Sequence, residues 1–546
     1  MGRAGRLVLA AVALVGACDG ASARRSPPVA SAGASSRGAP TTPAGAGTDR
    51  SADGIGESNV RAGDYIGPAA CGECHAEEQA RWAASLHAVM NARAEEAGAV
   101  IGDFGGVRVA DGDGEATFGR DGAAYVMTVR RGARTTRYRV TRTIGRRALQ
   151  EYVGIADGDP VRTEVRLPFG WWVKARGWFP QAAFDPWIGV GGGVGGGGRE
   201  GGGGEDEGRA WAGRCPWCHS TYPMALRIAR SNGPLQLGHG PEQGVALAPG
   251  EDDPAAVAGR LRVEAQVTTG ISCESCHLGG RAHAAAAGAG QAHPASHLIT
   301  QGVSGAAAAP GFAIERERAV NAVCTQCHSG PSPRYPDGGA TRNSSEGIDL
   351  AAGPCVGIRC TDCHDPHRGG RAVDDTAPAL AACVRCHRAF ADPAVARSHG
   401  AHEAASCLDC HMPRIVLGVD HVIRSHRISS PTNPDMLAVA APNACNLCHL
   451  DRGLGWTLRA LAQGFGARVA AADQRTWRAA YGGDLEAPLG PRWLDGPPAI
   501  AVVAAFAYAR SALADEARPR IEAWLGDRRP WVAAWMRLAR DAAALR

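Results

Sequence analysis

The chain has 546 residues, of which 45% are hydrophobic but only 5% aromatic, enough for two or three domains with a thin supply of bulky core. Its formal net charge is +4, and Arg3 and Arg6 near the start carry part of it, so no broad basic surface for nucleic acid is implied. Lys174 is the only lysine, against 18 cysteines and 18 histidines.

Arg3 and Arg6 precede an apolar run from Leu7 to Ala17, too short for an ordinary transmembrane helix and right for a signal-peptide core. The run ends Val15-Gly16-Ala17-Cys18, which resembles a bacterial lipobox. Residues 1–17 are therefore expected to be a lipoprotein signal peptide, with Cys18 lipidated and anchored to a membrane on its periplasmic side. Whether that membrane is inner or outer stays open. The alternative is cleavage after Ala21-Ser22-Ala23, which would release a soluble protein. Residues 18–63, rich in Ala, Ser, Gly, Pro and Thr, read as a disordered tether.

Sixteen cysteines fall into eight Cys-x-x-Cys-His motifs, numbered in chain order. Their cysteines are Cys71 and Cys74, Cys215 and Cys218, Cys273 and Cys276, Cys324 and Cys327, Cys360 and Cys363, Cys383 and Cys386, Cys407 and Cys410, and Cys445 and Cys448. The histidines that follow are His75, His219, His277, His328, His364, His387, His411 and His449. Two thiols three residues apart on a turn of helix can reach the two vinyl groups of one haem, and the adjacent histidine then lies beneath the iron. Zinc sites, redox dithiols and disulfides would each leave some motifs without the histidine. The pattern predicts eight covalently attached c-type haems, each with that histidine as proximal ligand.

The sixth ligand decides what such a haem does: histidine makes a low-potential electron carrier, methionine raises the potential, and an empty position permits catalysis. Ten histidines lie outside the motifs: His87, His239, His283, His293, His297, His367, His399, His402, His421 and His426. All ten are candidate distal ligands, against the alternative of surface histidines. His87, placed on an amphipathic helix with Trp82 and Met90, is the strongest; His239, His293 and His297 are the weakest. Met90 and Met412 are possible sulfur ligands, with core packing the favoured role.

Motifs 3 to 8 are densely spaced, whereas 144 residues separate Cys71 from Cys215. Within that gap the pattern turns to short alternating segments, Ala123 to Val129 and Thr136 to Val140, divided by Asp-Gly and Arg-Gly turns, the signature of antiparallel strands. The aromatic group Phe169, Trp171, Trp172, Trp178, Phe179, Phe184 and Trp187 is expected to pack a core rather than cover haem faces or a docking surface. The expected organisation is a first haem segment at 64–101, a β-rich insertion at 102–188, a Gly-rich loop at 189–208, a haem-rich core with seven motifs at 209–452, and a helical domain at 453–546. The fold class expected is mostly α and irregular, built around eight haems, with a small antiparallel β insertion and a C-terminal helical cap.

Tyr65-Ile66-Gly67-Pro68-Ala69-Ala70-Cys71-Gly72-Glu73-Cys74-His75 with Trp82 and Ser85-Leu86-His87 resembles the opening of cytochrome c554-like multihaem cytochromes. Asn321-Ala322-Val323-Cys324, Cys360-Thr361-Asp362-Cys363-His364-Asp365-Pro366-His367, His411-Met412-Pro413 and Pro442-Asn443-Ala444-Cys445 are similar to the same doubled-motif, octahaem superfamily. The resemblance spans roughly residues 64 to 452 and implies closely packed haem pairs forming a continuous wire. The superfamily also holds octahaem enzymes, reductases of small nitrogen or sulfur compounds among them, which use a lysine-ligated haem or one crosslinked to tyrosine. This chain departs from that pattern: every motif ends in histidine, and Lys174 lies in the β-rich insertion. The expected function is thus electron transfer, with other cytochromes or membrane quinol oxidoreductases as partners, and the alternative is a reductase with one open haem. Cys355 remains outside the motifs and reads as an inert thiol.

Intact-mass measurement of the mature protein tests the leader. A diacylated N-terminal Cys18 is expected, and an unlipidated terminus at Arg24 would remove the anchor.

Overall fold

The computed structural model describes residues 62–180, 211–226, 263–291 and 316–544, apart from 112–113, 213–214, 224–225, 331–332, 356, 368–376, 401, 403–404, 432 and 528. The leader with Cys18, the tether up to residue 61, the Gly-rich loop, Phe184, Trp187, His239, His293 and His297 lie outside the described residues.

Between motifs 1 and 2 the chain builds a nine-stranded antiparallel sheet. Its strands are β1 (Asn91–Arg93), β2 (Val107–Asp111), β3 (Gly114–Asp121), β4 (Ala124–Arg131), β5 (Arg134–Ile144), β6 (Leu149–Ala156), β7 (Val165–Arg166), β8 (Phe169–Trp172) and β9 (Gly177–Pro180). They run in the order β2-β3-β4-β5-β6-β8-β9, with β1 on β5 and β7 on β6, and the sheet curls into a nearly closed barrel. Alternation sets the register, because Phe118 sits opposite Met127, which sits opposite Tyr138, all on the buried face. The hairpins turn at Gly122 and Gly132, whose φ values of +58° and +54° fit the left-handed positions tight hairpins need. Trp178 stacks on Phe118 at 3.6 Å, and Phe104 meets Tyr152 and Trp178 edge-on, closing the interior.

The expected fold class is therefore corrected. A mostly α and irregular fold with a small β insertion understates a barrel that begins at Asn91 and is among the largest single elements of the protein. The signal was weak at both ends: β1 is three residues long, and β7 to β9 are short and aromatic or charged, so their pairing comes from long-range contacts that local periodicity does not report. The expected aromatic core is present, with Phe169, Trp171 and Phe179 buried. A second correction falls next to motif 1: the helix there, Ala76–Ala83, stops before His87. His87 and Met90 sit on turns instead, the first of them closed by Ser85 N donating to Trp82 O at 2.7 Å.

Beyond His449 the chain forms helices Leu454–Phe465, Ala471–Trp477, Leu489–Leu494, Pro498–Ala509, Ala514–Ala523 and Pro530–Ala544. Pro498–Ala509 is buried from Ala501 through Ala509, as befits a helix apolar all round, and it packs against Pro530–Ala544. Trp172 at the end of β8 rests on this helical core. Among the described residues no helix is long and apolar enough to cross a membrane.

The segment between barrel and helices is built differently. From Val263 to His411 the buried apolar side chains among the described residues are Ile271, Leu278, Tyr335, Ala340 and Leu408. Short helices there lie on one another with little hydrophobic filling of their own.

Phe118→Ala, at a fully buried barrel position, should cost about 3–5 kcal/mol. Val161→Ala, at a position 79% exposed, should stay within about 0.5 kcal/mol. Denaturant unfolding followed by tryptophan fluorescence distinguishes the two.

Candidate functional site

Each motif folds into one helical turn. The histidine N–H donates to the carbonyl of the first cysteine in His75, His219, His328, His364, His387 and His449, at 2.9–3.1 Å, while Cys273–His277 and Cys407–His411 are themselves helices. That turn sets the two thiols on one face with the imidazole at its end. In motifs 5 and 7 a carboxylate inside the motif starts the turn: Asp362 accepts from Arg359 N and Asp409 from Ser406 N, both at 2.8 Å. None of the sixteen motif cysteines is in a disulfide.

The histidines meet in pairs. His75 lies 6.2 Å from His283 with ring planes 18° apart, and His277 lies 5.9 Å from His367 at 7°. His364 and His426 are 6.2 Å apart at 25°, His411 and His399 6.3 Å at 7°, and His449 and His402 6.1 Å at 55°. Every pair joins one motif histidine to one histidine outside the motifs. The separation has a chemical meaning: a metal bonded to imidazole nitrogen at about 2.0–2.1 Å on each side holds two ring centres roughly 6.3 Å apart. The donor set therefore fits a bis-histidine iron. Among the described residues no three Cys, His, Asp or Glu side chains converge, as a tetrahedral zinc site would require.

The imidazoles are held ready to ligate. His411 Nδ1 donates to Ser429 O at 2.9 Å and His402 Nδ1 to Gly400 O at 2.6 Å, and since a carbonyl only accepts, the proton is on Nδ1 and the Nε2 lone pair is available. His328 Nδ1 pairs with Glu346 at 3.3 Å, and His421 Nδ1 with Asp420 at 2.5 Å, leaving a buried His421 Nε2 with no hydrogen-bond partner. Burial lowers the pKa of His87, His219, His411, His426 and His449, favouring the neutral imidazole that metals bind. At His87 the charge of His328 adds to that depression. Glu346 instead raises His328. Burial pushes Asp420 up, but His421 and Lys174, whose Nζ is 3.4 Å away, outweigh it and hold the carboxyl below its ordinary value.

Seven of the ten distal candidates are thus located, and five are brought against a motif histidine at ligating separation. His421 is held by Asp420. Of the remaining motif histidines, His219 faces Trp211 at 5.9 Å and His387 faces Phe390 at 6.3 Å. Several supporting residues carried no signal in the sequence: Glu346, the Ser429 carbonyl, Trp456 at 4.5 Å from His449, and Phe390 and Phe465 at 4.9 and 5.7 Å from His399. Their roles come from packing across turns and loops, which local periodicity does not report. Only an acidic residue directly beside a histidine, as in Asp420-His421, could have suggested such a partner.

No protein-family model matches this chain, and no curated protein matches it. Among solved structures, the crystal structure of outer cell wall cytochrome OcwA aligns with a TM-score of 0.42 at 14% identity, covering 88% of this chain and 98% of that one.

Asp362→Ala removes the acceptor for Arg359 N and the partner of the Arg359 guanidinium at 2.8 Å, and should cost about 1 kcal/mol in thermal unfolding of the cofactor-loaded protein. The Arg359 guanidinium holds Asp362 below the usual carboxylate range. Its contribution is therefore fully present above the unfolded carboxylate pKa and lost as pH falls through the lower folded value. Wild type and variant should converge in stability at that acidic end.

Proposed function

We propose that the protein is an extracytoplasmic octahaem c-type cytochrome that passes electrons along a row of closely spaced, low-spin haems. The observation that carries this reading is the recurrence of motif and non-motif histidines paired at 5.9–6.3 Å. When bound, haem c supplies an iron couple that accepts and releases single electrons. The chain's own residues do the rest. Cys71, Cys74 and their fourteen counterparts would attach the macrocycles, the motif histidines would each ligate one iron, and His283, His367, His426, His399 and His402 would supply the second histidine ligand at motifs 1, 3, 5, 7 and 8. Two histidine ligands would stabilise the oxidised iron and leave no position for a substrate, as suits an electron carrier.

Export through the leader and attachment at Cys18 would place the protein at the periplasmic side of a membrane, between membrane quinol oxidoreductases and a terminal reductase or another cytochrome. The near-neutral overall charge suits docking by local patches rather than by a global field.

Alanine at His283, His367, His426, His399 or His402 should each open one iron. The test is electron paramagnetic resonance and near-infrared magnetic circular dichroism of the purified variants. One haem in eight should become high-spin in each, with the attached haem count unchanged. Spectra identical to wild type across all five variants would contradict the ligand assignment.

A further inference from the structure

Chain order and spatial order of the motifs differ, and hydrogen bonds between motif segments reveal how. Motif 1 lies on motif 3: the Glu274 carboxylate accepts from Ile66 N and Gly67 N at 2.9 and 2.8 Å, and Trp82 Nε1 donates to Ile271 O at 2.8 Å. The motif 3 helix packs on Arg316–Thr325, which leads into motif 4. Asn321 then clasps motif 5, its Nδ2 donating to Ile358 O and its Oδ1 accepting from Cys360 N, both at 2.8 Å. Arg385 of motif 6 donates to Asp362 O of motif 5 at 2.9 Å. Phe390 bridges from His387 of motif 6 to His399, the partner of motif 7. His399 and His402, three residues apart, serve motifs 7 and 8. The row reads 1-3-4-5-6-7-8.

Motif 2 is missing from it. Its segment touches the row sideways at the junction of motifs 3 and 4. Thr221 Oγ1 accepts from Ser272 N and Ser275 Oγ, both at 2.8 Å, and Trp217 Nε1 donates to Gln326 O at 3.1 Å through buried surroundings. Its other side faces the barrel. Cys215 packs with Ile144 of β5, Val153 of β6 and Trp211, and Asn91 Nδ2 of β1 donates to Ser220 Oγ at 2.9 Å.

We infer that motif 2 is a branch site, held under the barrel at the junction of motifs 3 and 4, so that the electron path has three ends: motif 1, motif 8 and motif 2. This rests on the cytochrome reading above and deepens it. The barrel, inserted between motifs 1 and 2, is then the device that draws motif 2 out of the row and gives the path its third outlet.

Two measurements test the branch. Anomalous scattering from iron in crystals of the haem-loaded protein should show the motif 2 iron with the motif 3 and motif 4 irons as its nearest neighbours, and the other seven in the order above. Eight irons with motif 2 lying within the row, between any two consecutive members, overturn the branch but leave the cytochrome reading intact; crystals of the exported protein without eight irons overturn both. The second measurement uses the variants Cys215→Ala/Cys218→Ala and Cys360→Ala/Cys363→Ala, each checked by mass for loss of one haem. Photoreduction from one end should fill the seven haems of the motif 2 variant in a single phase, as the wild type fills eight. The motif 5 variant should show two phases, because its row is cut. Two phases in the motif 2 variant would contradict the branch.

Discussion

Between motif 3 and motif 7 the described residues lack the apolar interior that ordinarily holds a chain together. The barrel has Phe118, Met127, Tyr152 and Phe169 inside, and the C-terminal helices have Trp493, Phe506, Trp535 and Met536. The stretch from Val263 to His411 has five buried apolar side chains among its described residues, too few to repay the conformational entropy of ordering it. What this stretch has instead is a dense set of motif cysteines and histidines. In an octahaem cytochrome, macrocycles would fill the volume between its short helices, and thioether and iron–nitrogen bonds would replace contacts between side chains.

The pairing of histidines turns that substitution into a fold. His283 follows motif 3 yet meets motif 1, His367 follows motif 5 yet meets motif 3, and His426 lies beyond motif 7 yet meets motif 5. Each ligation would staple segments far apart in sequence, so the same bonds that set the redox character of an iron also fix the order of the chain in space. Helical turns of four or five residues suffice when their ends are tied this way, although such helices are marginal alone. The two apolar bodies then act as end supports: the barrel over motif 2, and the helical core beneath motif 8, where Leu447 and Leu450 join it.

The helical turn of each motif was legible because it is local. A five-residue motif specifies its own turn, and the helical domain expected at 453–546 is helical. The hairpins around Gly122 and Gly132 were equally visible. What local reading missed depends on distance. The pairing of Asn91–Arg93 with β5 joins segments some fifty residues apart, and the barrel's extent followed from such pairings, so it was expected as a small insertion. His87 was placed on a helix because its spacing from Trp82 suited one, but the chain leaves that helix at Ala84 and His87 lies on a turn. No distal partner could be chosen from sequence, since ten candidates allow many pairings and only packing selects among them.

Thiol accounting on the exported protein bears most directly on the central claim that the sixteen motif cysteines attach haem. After full denaturation, alkylation followed by intact-mass measurement should find eight haem additions and, with Cys18 lipidated, a single reactive thiol at Cys355. Sixteen or more alkylated cysteines on a haem-free chain would contradict it.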